Sequence, residues 1–234
     1  TAVSGFCSNF TTAVRPQITK SYAVGDKEIY ENLVIKTAKL SFLILMVLCI
    51  PIIVESEYII NLWLVDVPEY TVEFVCIILL LTMLDSFSSP LTYLLLATGK
   101  IRNYQLVTGG ILLLNFPLAY ILLKLGYSPV STVFSTIIIS IICLFTRLAF
   151  LRTMTQFPVL RFLTDVVLRC IIVFSLCFLF IIPVKYFIKS DNFAMFAVNI
   201  ILTGIICIAI SYIFGLTKSE KRFILKPIKK ILKK

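Results

Sequence analysis

Phe193-Ala-Met-Phe-Ala-Val-Asn-Ile-Ile-Leu-Thr-Gly-Ile-Ile-Cys-Ile-Ala-Ile-Ser-Tyr-Ile-Phe-Gly215 runs for 23 residues without one charged side chain. A helix needs about 20 apolar residues to cross the hydrocarbon core of a bilayer. Backbone polar groups find no water there, so a spanning segment must close its own hydrogen bonds, as a helix does. The run is too long and too continuously apolar for a barrel strand, which alternates polar and apolar positions. It reads as a transmembrane helix, span G.

Toward the N-terminus lie six more candidates, at 2–23 (span A), 37–54 (B), 70–98 (C), 104–123 (D), 129–151 (E) and 164–187 (F). Spans C, D, E and G are nearly free of charge, and A is the most polar. The 234 residues are 59% hydrophobic and 15% charged, with mean hydropathy +1.02. Soluble domains are about half apolar and a quarter charged. A soluble fold is excluded, and so is a collagen-like, disordered or disulfide-stapled secreted chain. The expected fold class is an all-α integral membrane protein, a bundle of seven transmembrane helices. Residues 1–152 hold five spans, 153–215 an additional helical hairpin, and 216–234 a basic amphipathic tail.

Lysine and arginine are distributed on one side. The A–B, C–D and E–F connections and the span ends that flank them, with the segment after span G, carry 19 of the 22 basic residues, Arg147 among the flanking ones. The remaining three, Lys124, Lys185 and Lys189, fall on the other side with Glu55, Glu57, Asp66, Glu69, Glu73 and Asp191. Basic loops stay cytoplasmic, so Thr1 starts outside and the C-terminus lies inside. The net charge of +10 follows from this topology, and nucleic acid is not needed to explain it. The tail, with Ile224, Ile228, Ile231 and Leu232 among lysines, is expected on the anionic inner leaflet. The longer connection 55–69 has room for an interfacial helical turn with Tyr58 and Trp63 at headgroup level. Pro51, Pro90, Pro117 and Pro183 fall within spans, where kinks are expected.

The chain has no histidine, which removes histidine bases, Ser-His-Asp and Cys-His catalysis, and His-rich zinc sites. Its seven cysteines form no CxxC pair and sit in apolar stretches, where they read as small buried hydrophobes. Transport is expected rather than enzymatic catalysis, with no cofactor and no metal.

Two polar groupings remain. Ser8, Thr11, Thr12 and Arg15 share one face of span A at i, i+3, i+4 and i+7. Such a stripe should face protein or a water-filled path. Arg15 would suit a pyrophosphate, because guanidinium matches phosphate oxygens in pairs. In the other reading it simply snorkels to the cytoplasmic surface. Asp85, Ser88, Ser89 and Thr92 share a face of span C, and Asp85 is the one acid deep in an apolar span. They could serve a cation, a sugar or, through a carboxyl buried in low dielectric, proton coupling. The rival reading is a helix–helix hydrogen bond beside Pro90.

Three short segments carry a resemblance: Arg15-Pro16-Gln17-Ile18-Thr19-Lys20-Ser21-Tyr22-Ala23-Val24-Gly25-Asp26, then Leu62-Trp63-Leu64 with Pro68-Glu69-Tyr70, then Ala97-Thr98-Gly99-Lys100-Ile101-Arg102-Asn103-Tyr104-Gln105. In order, spacing and membrane side they are similar to the polysaccharide or O-antigen flippases (Wzx-like) of the multidrug/oligosaccharidyl-lipid/polysaccharide exporter superfamily. Such proteins commonly have about fourteen helices in two lobes that rock to alternate access. The resemblance implies that this chain is the second lobe of a multi-pass protein of the bacterial inner membrane. Its substrate would be an undecaprenyl-pyrophosphate-linked oligosaccharide, and its partners membrane lipids and the N-terminal lobe of the same protein. A start at Thr1 with no signal-peptide pattern fits a piece of a longer chain. Arg15 would then help hold the pyrophosphate. A multidrug exporter of the same superfamily, a seven-helix receptor and a membrane enzyme are the rival classes.

Overall fold

The computed structural model describes residues 2–187, 192–217 and 220–221, and every regular element among them is helical. The order is α1 (Ala2–Val24), α2 (Lys27–Val54), α3 (Ser56–Trp63), α4 (Thr71–Asp85), α5 (Ser88–Ala97), α6 (Arg102–Leu113), α7 (Asn115–Lys124), α8 (Ser131–Thr155), α9 (Val159–Phe162), α10 (Arg169–Phe187) and α11 (Phe193–Ile210). Wider π-helical turns, Leu163–Leu168 and Ser211–Gly215, join α9 to α10 and finish α11. Six helical rods are long and apolar enough to cross a membrane: Lys27–Val54, Thr71–Ala97, Arg102–Lys124, Ser131–Thr155, Val159–Lys185 and Phe193–Gly215. This is the build of a multi-pass membrane protein. Span A is the 23-residue helix α1, outside those six. Residues 222–234, most of the expected amphipathic tail, lie outside the described residues.

Span B starts at Lys27, ten residues before the hydropathic boundary at 37. Local chemistry places that start. Gly25 adopts a left-handed φ of 80°, which costs glycine little. Gly25 N–H donates to the Tyr22 carbonyl at 3.0 Å and Asp26 N–H to the Ser21 carbonyl at 3.1 Å, closing the end of α1. The Asp26 carboxylate then accepts from Ile29 N–H at 3.2 Å and caps α2.

Helix α2 is the central post, packed against α1, α4, α5, α10 and α11. Its apolar window is 67% buried, against 6% for Arg102–Lys124, which packs mainly on α8. Lipid is as apolar as leucine, so close packing holds such helices together. Phe42 stacks on Phe87 with ring centroids 4.7 Å apart. A Cβ added at Gly215 would sit 3.0 Å from Leu43 Cδ1, so the glycine lets the end of the last rod close on α2.

Pro90 and Pro117 coincide with interruptions between α4 and α5 and between α6 and α7. A proline offers no N–H to the carbonyl four residues back and its ring crowds it. Those carbonyls belong to Ser86 and Leu113, at the interruptions. Phe87 N–H turns instead to the Leu84 carbonyl at 3.2 Å, a tighter turn that keeps the chain running forward. Pro51 and Pro183 lie inside α2 and α10 without a break.

The two ends of the bundle are each tied by contacts. At one, Lys27 Nζ reaches Gln156 Oε1 at 3.4 Å and Arg161 Nη2 reaches Asn32 Oδ1 at 2.9 Å, joining the A–B and E–F turns. At the other, Lys185 Nζ donates to the Val54 carbonyl, and Tyr58 stacks on Phe196 at 4.7 Å. The 55–69 connection forms α3, with Trp63 83% exposed at its end.

Candidate functional site

The interruption after Asp85 opens α4 and α5 toward α8, and the interruption at Leu114 brings Asn115 opposite. Between them lies a cavity of about 360 Å3. Asp85, Ser88, Ser89, Thr92 and Tyr93 line one wall, Asn115 another, and Thr136, Ser140, Cys143 and Arg147 the third. The four residues placed on one face of span C therefore share one cavity. Asp85 is exposed on its wall and accepts a hydrogen bond from the Ser140 hydroxyl. The sequence placed this carboxyl deep in apolar surroundings. It stands instead at a helix interruption, open to the cavity.

Hydroxyls and an amide supply most of the other polar groups, and Leu81, Leu112 and Ile139 add apolar surface to the lining. Asn115 Nδ2 donates to Thr136 Oγ1 at 3.0 Å, and Asn115 Oδ1 accepts from Ser135 Oγ at 2.8 Å. Thr92 donates to the Ser88 carbonyl at 2.9 Å and Thr136 to the Thr132 carbonyl at 3.1 Å. Their protons are committed to their own helices, which leaves hydroxyl lone pairs as acceptors.

Arg147 belongs to the cavity too. The sequence reading counted it with the E–F flank, but it lies eight residues inside the end of α8, about 12 Å along the helix axis. Nε donates to the Tyr104 hydroxyl at 3.1 Å and Nη1 to Ser88 Oγ at 3.2 Å. Both partners are neutral. Among the described residues no carboxylate forms an ion pair with it. A guanidinium has five N–H donors, and these bonds use two. The signal for it was present in span E: Thr136, Ser140, Cys143 and Arg147 recur at steps of four, three and four, one stripe of a helix.

Ser8, Thr11, Thr12 and Arg15 of α1 do not line this cavity, and the stripe meets it only through Tyr93 of the cavity wall. Arg15 lies over the Tyr93 ring, 5.6 Å from its centroid. The Tyr93 hydroxyl is 3.5 Å from Thr11 Oγ1 and 3.4 Å from Thr12 Oγ1. Thr11 is buried and also donates to the Ser8 carbonyl, while Ser8, Thr12 and Arg15 are exposed. Tyr93 thus joins the two polar groupings. No group of three or more metal-ligating side chains occurs among the described residues. No model of a known protein family matches the chain, and neither a curated protein nor a solved structure matches it.

Proposed function

We propose that this chain is the second lobe of a flippase that moves an undecaprenyl-pyrophosphate-linked oligosaccharide across the bacterial inner membrane for surface polysaccharide synthesis. One observation carries the reading: Arg147, well inside a membrane-spanning helix, is held by neutral partners and keeps donors for an anion. An unneutralised cation in a span marks a substrate or ion path by default. A guanidinium fork fits a pyrophosphate, and the hydroxyls, amide and carboxylate around it offer the groups that bind sugar hydroxyls. The cavity volume falls in the ordinary range for ligand sites. Helices interrupted at mid-span are a recurrent way to build such sites.

In this reading α1 is a seventh crossing that enters from outside, and the segment after the last rod is cytoplasmic. The lysine and arginine asymmetry supports that orientation, and moving Arg147 into its span leaves the asymmetry intact. Arg15, stacked on Tyr93, receives the pyrophosphate at the cavity rim and Arg147 holds it deeper in. Rocking against a companion lobe exposes the cavity to each side in turn.

The second reading is a multidrug exporter for cations, favoured by the exposed Asp85 carboxylate on the cavity wall. Arg147→Gln in the full-length protein separates the two. The flippase reading expects polysaccharide export to fall about ten- to a hundredfold at unchanged protein level, the value of charge-assisted hydrogen bonds. Unchanged export, with drug efflux lost in Asp85→Asn, would replace it by the second reading.

A further inference from the structure

A second cavity, of about 190 Å3, opens at the end of the bundle where α2 begins. It lies between α2, the π-helical turn Leu163–Leu168 and the residues Thr217 and Glu220 that follow the other π-helical turn. Its wall carries Lys36, Lys39, Arg161 and Arg169 against two acids, Asp165 and Glu220. Both acids are engaged. Lys39 Nζ is 2.7 Å from Glu220 Oε2, and Arg161 Nε is 3.6 Å from Asp165 Oδ2. Lys36 and Arg169 have no ion-pair partner among the described residues. The pocket therefore keeps two positive charges in excess at one end of the bundle.

Next to it, an apolar groove of about 390 Å3 runs between α2 and the last rod, lined by Leu40, Leu43, Ile44, Val47, Ile208 and Leu216. Lys36, Leu40, Leu43 and Val47 stand at i, i+4, i+7 and i+11, one stripe of α2. Across the gap, Leu216 of the groove is followed directly by Thr217 of the charged pocket. A cationic pocket and an apolar groove thus follow one another along the same helix pair.

We infer that this composite site binds one anionic phospholipid of the bilayer, with its phosphodiester on Lys36 and Arg169 and an acyl chain in the groove. Basic pockets between spans suit anionic headgroups in general. A free phosphate would use the pocket and leave the groove without a role. The bound lipid touches α2, the start of the Val159–Lys185 rod and the end of the Phe193–Gly215 rod, so it clamps the terminal hairpin to the central post. A ligand that binds only the folded state stabilises it by mass action. The site does not depend on the transport reading, and its test uses no transport assay.

The full-length protein in neutral detergent is given phosphatidylglycerol, phosphatidylcholine or inorganic phosphate. Retained lipid is counted by native mass spectrometry, and the unfolding midpoint is followed. One phosphatidylglycerol per chain should be retained and raise the midpoint, while phosphatidylcholine and phosphate should not. Lys36→Gln with Arg169→Gln should weaken phosphatidylglycerol binding about thirtyfold. Ile44→Trp, which fills the groove and leaves the cations alone, should also cut retention and tests the site if the double variant does not fold. Equal effects of the two lipids, the full shift from phosphate alone, or unchanged phosphatidylglycerol retention in either variant would overturn the proposal.

Discussion

Lys39 and Arg147 are both cations inside membrane-spanning rods, and the fold treats them in opposite ways. Lys39 is 1% exposed and closed against Glu220 at 2.7 Å. Arg147 is half-buried, faces a cavity, and among the described residues donates to the neutral oxygens of Ser88 and Tyr104. A buried charge costs several kcal/mol unless paired and hydrogen-bonded, about the scale of a domain's net stability. The Lys39 pair meets that cost internally and ties the end of the last rod to α2. Arg147 meets it in part, through the open cavity, and keeps donors available. The difference separates a charge closed into an ion pair from one left open to a cavity, which the proposed reading assigns to a ligand.

The closed pair should give the largest effect. Glu220→Gln strands the Lys39 ammonium, and unfolding in detergent should show a loss of about 3–5 kcal/mol. Replacing both partners, Lys39→Met with Glu220→Leu, should recover most of it, because the desolvation cost leaves with the charges. Acid should act on the same contact. Burial pushes the Glu220 carboxyl up, but hydrogen bonds from Lys39 and the Thr217 amide outweigh it and hold the group below its ordinary value of 4.5. A lowered folded-state value contributes stability that is present above 4.5 and lost as pH falls through the folded value. A melting midpoint that drops below pH 4.5 in the wild type and not in the double variant would assign the loss to this pair.

Arg147 should show the reverse profile. Arg147→Gln should change stability by about 1–2 kcal/mol, because glutamine replaces two charge-assisted hydrogen bonds only in part. In the proposed reading its effect falls on export. Arg147→Lys keeps the charge and loses the fork, so it should restore export only in part. If Arg147→Gln unfolds the protein as strongly as Glu220→Gln, the contrast fails and Arg147 is structural.

Asp85 comes next. Asp85→Asn removes the charge and keeps the size beside Ser140. If the acid couples an ion, transport should fall and lose its dependence on pH. Export with an unaltered pH profile would return Asp85 to a helix–helix contact.

How legible these features were depends on their range. The six long apolar rods could be read from runs of apolar residues alone, and the cavity wall Asp85-Ser88-Ser89-Thr92 from helical spacing within one span. Hydropathy misses the start of α2 because Lys27, Glu28, Glu31 and Lys36 dilute it, although Asp26 stands there as a capping residue. Arg147 lies near the end of span E in the sequence, where a cation looks the same whether it snorkels or turns inward. Its partners Ser88 and Tyr104 lie on other rods. Glu220 was invisible for the same reason, since nothing in its own neighbourhood points to Lys39. Local rules reach as far as one helix, and what one helix does to another's charge lies beyond them.

The smallest effect should come from the rim. Tyr93→Phe removes hydroxyl contacts to Thr11 and Thr12 that are long, at 3.5 and 3.4 Å, and keeps the ring under Arg15. Stability should shift by about 0.5 kcal/mol or less. Tyr93→Leu also removes the ring, worth about 0.5–1 kcal/mol against an exposed cation. If Arg15 receives the substrate anion, Arg15→Ala and Tyr93→Leu should lower export by similar few-fold amounts, with Tyr93→Phe near wild type. If Arg15 only snorkels, none of the three should move export, and the pyrophosphate would rest on Arg147 alone.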